Sequence, residues 1–150
     1  MWILSIMAVV VQAALLSASP KTVTINGHTF LATISNRVEQ KVKGLMFRKE
    51  LPADSCMIFL YNADAYRPIW MENCRIPLDV IWVNESGKVV EIQEKVQPCP
   101  TVYKSQMCPE YGGSVPSRHF IEFPAGTVSK TAIKLGDKAF WNFSVPDDTN

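Results

Sequence analysis

Short apolar runs separated by turn-forming residues make up most of the chain after residue 20. Residues 22–25 and 29–34 flank Asn26-Gly27, a pair that tolerates the positive φ values of a tight hairpin turn. Residues 80–83 and 89–92 are two further apolar runs, and turn-forming residues join them. The pattern therefore predicts two β-hairpins.

One short amphipathic helix is predicted at residues 37–43. Asn36 can cap its first turn while Glu39 reaches back to the cap, and apolar residues follow at helical spacing. Gly44 is a natural stop for this helix because glycine readily adopts the left-handed conformation at a helix end.

Further strands are predicted at residues 57–61, 69–71, 118–123 and 138–143, with a short turn or helix near 127–131. Only a polar loop separates the first two of these runs. We therefore expect them to be adjacent antiparallel strands.

These elements predict a mainly β fold, an antiparallel β-sandwich or barrel of jelly-roll-like form with one short α-helix packed on it. At 150 residues the chain has room for one domain, which we expect to span residues 20–150. A long segment at residues 97–116 is rich in Pro, Gly and Cys, and loops of this length are usually functional or flexible.

The first 19 residues include no charged side chain. A mainly apolar stretch is followed by three small residues at positions 17–19, which is typical of a signal peptide. An uncleaved membrane anchor is the alternative, although the apolar stretch is shorter than the roughly 20 residues that a spanning helix needs. We therefore expect an exported protein, periplasmic or extracellular. Contact with a membrane is expected only through residues 1–19, if they are not cleaved.

The charges of the chain are nearly balanced, with 15 Lys and Arg against 14 Asp and Glu. The basic residues are scattered along the sequence and form no stripe with interleaved aromatic residues. Binding of nucleic acid through its phosphates is therefore not expected.

Five motifs occur in order along the chain: Gly44-Leu45-Met46-Phe47-Arg48, the stretch from Trp70 to Asp79, Pro98-Cys99, Glu122 followed by Pro124-Ala125-Gly126, and Gly136-Asp137. Their order resembles the domain of unknown function 192 family, over about residues 30–143. That family is a small, mostly β domain without an established activity, so the resemblance implies a fold and no reaction.

Four cysteines lie behind the predicted signal peptide, and an even number in an exported chain favours disulfides. If residues 57–61 and 68–73 form a hairpin, Cys56 and Cys74 lie close to opposite positions at its open end. We predict a disulfide between these two and, by elimination, a second one between Cys99 and Cys108. Four free thiols in a chain that is not exported are the alternative.

The polar residues of the stretch from Trp70 to Asp79, together with Arg48 and Tyr111, are candidates for a ligand site. Asp79 enters an apolar strand, where a carboxylate needs a partner, and Arg48 can supply a bidentate guanidinium. This pair is either a structural ion pair or a clamp for an anionic or sugar ligand. Trp70, Asn73 and Tyr111 are residue types that stack on sugars or bind hydroxyl groups, although they are equally ordinary core and turn residues.

Glu122 shares a strand face with an aromatic residue, so it is expected to point inward. Together with Asp79 it could form the acid and base of a hydrolase. No cofactor is expected, since no ligand pair has the spacing of a zinc site. Met46, Met57, Met71 and Met107 with His119 could hold Cu(I), but methionines on strands usually fill the core.

The leading interpretation is an exported, non-catalytic binding module for a small ligand or a component of the cell envelope. Arg48, Trp70, Asn73 and Asp79 are expected to line its site together with the loop from Cys99 to Tyr111. A hydrolase that uses Asp79 and Glu122, and a structural or partner-docking protein, are the two alternatives.

Overall fold

The structure, a computed structural model, describes residues 19–99 and 107–145. All but the last residue of the predicted signal peptide, residues 1–19, lie outside these described residues. The described chain forms nine strands and two short helices: β1 (Thr22–Ile25), β2 (His28–Ser35), α1 (Val38–Lys43), β3 (Ser55–Phe59), β4 (Ile69–Trp70), β5 (Leu78–Val83), β6 (Val89–Val96), β7 (Glu110–Tyr111), β8 (His119–Pro124), α2 (Thr127–Thr131) and β9 (Ala139–Trp141).

Seven strands form one sheet in the order β6-β5-β8-β3-β2-β1-β9, and β4 pairs with β7 in a separate two-stranded ribbon. Neighbours in the large sheet are antiparallel except β2 and β3, which are parallel. Parallel neighbours need a crossover connection, and the segment that contains α1 supplies it. Both predicted hairpins, β1 with β2 and β5 with β6, are confirmed.

The large sheet curls until its two edge strands meet at one end. Lys88, next to β6, forms a β-bridge with Lys138, next to β9. The N–H of Ala139 donates to the carbonyl of Gly87 over 2.9 Å, and that of Val89 donates to the carbonyl of Asp137 over 2.8 Å. The mainly β fold is thus confirmed as a half-barrel made by one sheet, while the sandwich or jelly-roll form is not confirmed.

Alternate residues of β3, β5 and β8 belong to two different cores. Ile58, Ile81 and Ile121 pack in a first cluster with Val128 of α2. The residues between them on the same strands pack in a second cluster, together with Leu45 from the segment after α1. The three central strands are therefore buried on both faces, which explains their nearly continuous apolar sequences.

The expected pairing of residues 57–61 with residues 69–71 is wrong. In the sheet, β3 lies between β2 and β8, and β4 pairs with β7 through Ile69 opposite Tyr111. The antiparallel neighbour of β3 comes from far along the chain, so local loop length gave no information about it.

Helix α1 begins one residue later than the sequence suggested, and its capping residue differs. The Gln40 side-chain oxygen, rather than Glu39, accepts from the N–H groups of Asn36 at 3.2 Å and Arg37 at 3.1 Å. Gly44 ends the helix with a φ of 47°. Neither of the two described helices is long and apolar enough to cross a membrane.

Candidate binding pocket around Glu122

A cavity of about 300 Å³ opens on the face of the sheet that carries the second cluster. We call it the Glu122 pocket. The end of α1, residues 66–74 and the facing ends of β3 and β8 surround it. Its polar and aromatic lining includes Lys41, Lys43, Tyr61, Tyr66, Arg67, Trp70, Glu72, Cys74 and Glu122.

Glu122 provides the most buried ionisable group of this pocket. It lies on β8 between Met57 of β3 and Val80 of β5, and only 6% of its surface is exposed. Its Oε2 atom has no hydrogen-bond partner among the described residues. Burial raises the pKa of this carboxyl to about 8, so the neutral acid predominates at pH 7.

The alternation of β8 explains why Glu122 faces the pocket. Successive side chains of a strand point to opposite faces, so Phe120 and Glu122 lie on one face while His119 lies on the other. Phe120 stacks on Phe59 with ring centroids 4.2 Å apart, and both rings line the pocket. The expectation that Glu122 points inward beside an aromatic residue agrees with this placement.

Arg67 and Lys41 lie over the ring of Tyr61 on the pocket wall, at 3.5 Å and 4.1 Å from the ring centroid. Arg67 also donates from Nη2 to the carbonyl of Ala63, and its own carbonyl accepts from Trp82 Nε1 at 2.8 Å. Its Nε atom is buried without a partner among the described residues. Burial lowers the pKa of Arg67, which nevertheless stays protonated.

The loop that carries Arg67 is fixed at several points. Ala65 forms a bridge with Ser117, and Arg118 Nε contacts the carboxylate of Asp64 at 2.7 Å. The backbone of Gly113 approaches Pro68 so closely that a Cβ there would overlap the Pro68 backbone. The wall of the pocket is therefore held by residues distant in sequence.

Two cysteines that the sequence paired with each other are separate free thiols. Cys56 is buried in the first cluster, whereas Cys74 is half-buried in the Glu122 pocket, so the predicted Cys56–Cys74 disulfide is wrong. That prediction required a hairpin which the sheet does not contain. Burial raises the pKa of each thiol to about 12, and the Glu122 carboxylate adds to the effect at Cys74. The expected disulfide between Cys99 and Cys108 is present, with Cα atoms 5.6 Å apart.

Asp79 is fully buried and serves the fold. Its two oxygens accept from the backbone N–H groups of Lys95 and Val128, each at 2.8 Å, so the carboxylate joins β6 to the first turn of α2. The expected pair of Asp79 with Arg48 is wrong, because backbone donors hold this carboxylate and Arg48 is exposed beside a different groove.

Asp79 and Glu122 do not form an acid and base pair. In the register of β5 with β8, Val80 lies opposite Glu122 and Asp79 lies opposite Phe123. The two carboxyl groups therefore lie on opposite faces of the sheet, and only Glu122 lines the pocket.

The remaining predicted site residues have mixed placements. Trp70 lines the pocket with 41% of its surface exposed. Asn73 has a φ of 56°, and its carbonyl accepts from Phe47 N at 2.8 Å, so it braces a turn outside the pocket lining. Tyr111 packs against the second cluster opposite Ile69. Of the five single residues predicted to bind a ligand, all of them described, only Trp70 lines the pocket. Residues 100–106 of the loop that was expected to line the site lie outside the described residues.

The structure does not bring the proposed copper ligands together. His119 is buried on the opposite face from Met57, and its Nδ1 accepts from the N–H of Tyr61 at 3.1 Å. Burial lowers the pKa of His119 to about 4, which keeps the ring neutral. Within residues 19–99 and 107–145, no group of three His, Cys, Asp or Glu side chains is placed to hold a metal ion.

Sequence reasoning missed Tyr61, Arg67, Lys41 and Cys74 as members of one site. Arg67 lies in a loop whose position depends on long-range contacts, and Tyr61 lies next to this loop. Lys41 belongs to the helix that the sequence predicted to pack on the sheet, but this helix has no buried residues, and its polar residues were not considered for a site. No local signal marked these residues, apart from the position of Cys74 within the stretch from Trp70 to Asp79.

A model of the domain of unknown function 192 family, described as an uncharacterised ACR, matches residues 21–141. A protein of unknown function from Novosphingobium aromaticivorans is similar in structure, with 33% identity, a TM-score of 0.71, and coverage of 81% of this chain and 84% of that one. A candidate transcription regulator from Sinorhizobium meliloti shares the fold at 24% identity and a TM-score of 0.70, covering 81% of this chain and 93% of that one. No curated protein matches the sequence significantly. Since the family model spans most of the sequence, the chain belongs to the domain of unknown function 192 family.

Proposed function

We propose that this protein is an exported binding module that holds a small ligand in the Glu122 pocket. The observation that carries the proposal is that Glu122 lines the cavity and that its buried Oε2 atom has no hydrogen-bond partner among the described residues. A buried polar group without a partner costs about 1–3 kcal/mol, and a ligand that bonds to it removes this cost.

The size and lining of the cavity support a small ligand. A volume of about 300 Å³ lies at the lower end of the range of ligand pockets. The walls combine aromatic rings with a few polar groups that converge on the same space, as in other small-molecule sites. Absence of a polar cavity would instead have favoured the alternative of a structural or partner-docking protein.

The chemistry of the pocket favours binding over catalysis. The Cys74 thiol has a pKa of about 12, so almost none of it is the nucleophilic thiolate at neutral pH. Asp79, the predicted acid or base partner of Glu122, lies on the opposite face of the sheet. The hydrolase alternative therefore lacks its required pair.

Two features support export. Residues 1–19 have the composition of a signal peptide, and the Cys99–Cys108 disulfide suits an oxidising compartment. Intact mass of the protein from the producing cells, before and after reduction and with thiol alkylation, tests this. We expect loss of about the first 19 residues and two cysteines protected until reduction. A full-length chain with four alkylated thiols would contradict export.

The binding proposal is tested by thermal unfolding against a panel of small molecules at millimolar concentration, including neutral sugars, acidic sugars, amino acids and aromatic acids. At least one class should raise the Tm of the wild type, and Trp70→Ala should abolish the rise. Phe140→Ala is the matched control, because it removes another exposed aromatic side chain on β9, outside the pocket. The proposal fails if no class raises the Tm, or if both variants behave alike.

A further inference from the structure

We infer that the ligand of the Glu122 pocket is an anionic sugar, a small polyhydroxylated ring that carries a carboxylate or phosphate group. The inference rests on the proposed function, since it names the class of ligand for that site. Three parts of the pocket, each distinct in chemistry, point to the three parts of such a ligand.

Arg67 provides the site for the anionic group. Its guanidinium packs against the Tyr61 ring and is partly held by Ala63, which leaves the Nε–H as a buried donor without an acceptor among the described residues. A carboxylate or phosphate oxygen is the acceptor that forms the strongest hydrogen bond with a guanidinium. Because the guanidinium is already positioned, little conformational entropy is lost when the anion binds.

The charge balance of the lining agrees with an anionic ligand. Lys41, Lys43 and Arg67 contribute three positive charges, and Glu72 contributes one negative charge. Burial keeps the Glu122 carboxyl largely neutral at pH 7. The pocket is therefore cationic although the whole chain has a net charge of only +1.

Glu122 provides the site for a hydroxyl group. In its neutral form the carboxyl has one O–H donor and a carbonyl acceptor, which matches the donor and acceptor character of a sugar hydroxyl. A hydroxyl satisfies the Oε2 atom without bringing a charge into this buried site, whereas a ligand anion there would have to lose its hydration. The anionic group is thus expected at Arg67 and a hydroxyl at Glu122.

Trp70 and Tyr66 provide aromatic surface for the ring of the ligand. Both line the pocket, and 41% and 67% of their surfaces are exposed. Aromatic residues this exposed are available to pack against a ligand, and flat apolar rings suit the C–H faces of a sugar.

The test is a titration of the purified, ¹⁵N-labelled protein with glucuronate, glucose 6-phosphate, glucose and benzoate, followed by the indole N–H signal of Trp70. The Trp141 indole is the internal control, because Trp141 does not line the pocket. We expect glucuronate or glucose 6-phosphate to bind about tenfold or more tightly than glucose, as expected for one charge-assisted hydrogen bond. Benzoate, which has the charge and a ring without hydroxyl groups, should bind as weakly as glucose.

Arg67→Met should reduce the preference for the anionic sugars over glucose to about one. Lys43→Met is the second variant, at an exposed position that the fold does not need, and should reduce the preference by a smaller factor. Lys138→Met removes a cation that lies over Phe140 and does not line the pocket, and it should leave the preference unchanged.

Tight binding of glucose or benzoate at the Trp70 signal would overturn the anionic sugar while leaving the pocket as a binding site. If no probe moves that signal, the inference also fails. The proposed function then survives only if the thermal panel finds another class whose effect depends on Trp70.

Discussion

Replacing Glu122 by Gln should remove a large pH dependence of stability. Gln has the shape of a protonated Glu and stays neutral at every pH. In the folded protein burial raises the Glu122 pKa to about 8 from the ordinary value of 4.5. The folded protein therefore holds this proton more tightly than the unfolded chain does.

The sign and size follow from this difference. Below pH 4.5 the carboxyl carries its proton in both the folded and the unfolded state, so the folded protein has its full stability. As the pH rises from 4.5 to 8, the unfolded chain releases the proton first, and stability falls. The full difference corresponds to roughly 3–5 kcal/mol, which is a large part of the 5–15 kcal/mol typical of a domain.

Urea unfolding followed by tryptophan fluorescence measures this effect at a series of pH values from 5 to 9, without reductant. We expect the free energy of unfolding of the wild type to fall relative to that of Glu122→Gln across this range, by roughly 3–5 kcal/mol in total. The other titrating groups are common to both proteins, so their contributions cancel in the difference between the two free energies of unfolding. Glu94→Gln makes the same chemical change at an exposed position of β6 and should behave like the wild type.

A constant difference between wild type and Glu122→Gln over this range would refute the reasoning. It would mean that the folded carboxyl titrates like an ordinary solvated glutamate. Glu122→Leu adds a second check, because it removes the buried oxygen without a partner and should unfold at higher urea concentration than the wild type at pH 9.

Three further predictions concern the fold. Replacing Cys99 and Cys108 by Ala should lower the free energy of unfolding by about 2–3 kcal/mol, because the bridge closes a short loop; reductant should have the same effect on the wild type in urea unfolding, and no effect on the double variant. Gly113→Ala should destabilise by at least about 2 kcal/mol more than Gly27→Ala, since both residues have positive φ but only Gly113 contacts neighbouring backbone where a Cβ would lie; equal Tm shifts would contradict this. His119, whose pKa is lowered to about 4 by burial, should make the protein lose up to about 3 kcal/mol as the pH falls from 6.5 to 4, and a parallel decline in His119→Asn would show that another group is responsible.

The parts of the fold that the sequence predicted correctly are the local ones. The hairpin at Asn26-Gly27 needs only two turn residues with positive φ between two strands, and Gly87 plays a similar part in the β5–β6 turn. The parallel pairing of β2 with β3 and the pairing of β4 with β7 join segments that no turn connects directly. Periodicity predicts that a strand exists but not which strand lies beside it, and the wrong disulfide followed from one wrong neighbour.

The candidate site was predictable only in part for a similar reason. The alternation of side chains along β8 was sufficient to predict that Glu122 points inward, beside Phe120. The same rule could not show that Asp79 faces the other core, because that depends on the register between β5 and β8. Arg67 reaches the pocket through a loop held by Ser117 and Gly113, and such contacts leave no trace in local sequence.

The pairing of β1 with β9 sets the order in which this domain can be completed during synthesis. Val23 lies opposite Trp141, so one of the first strands gains its outer neighbour only after nearly the whole chain has left the ribosome. Contacts between such distant residues slow folding, and until β9 arrives the edge of β1 is open to pairing with other chains. A chain that ends before residue 138 also lacks the bridge to Lys88, so it would expose both edges of the sheet and is expected to aggregate.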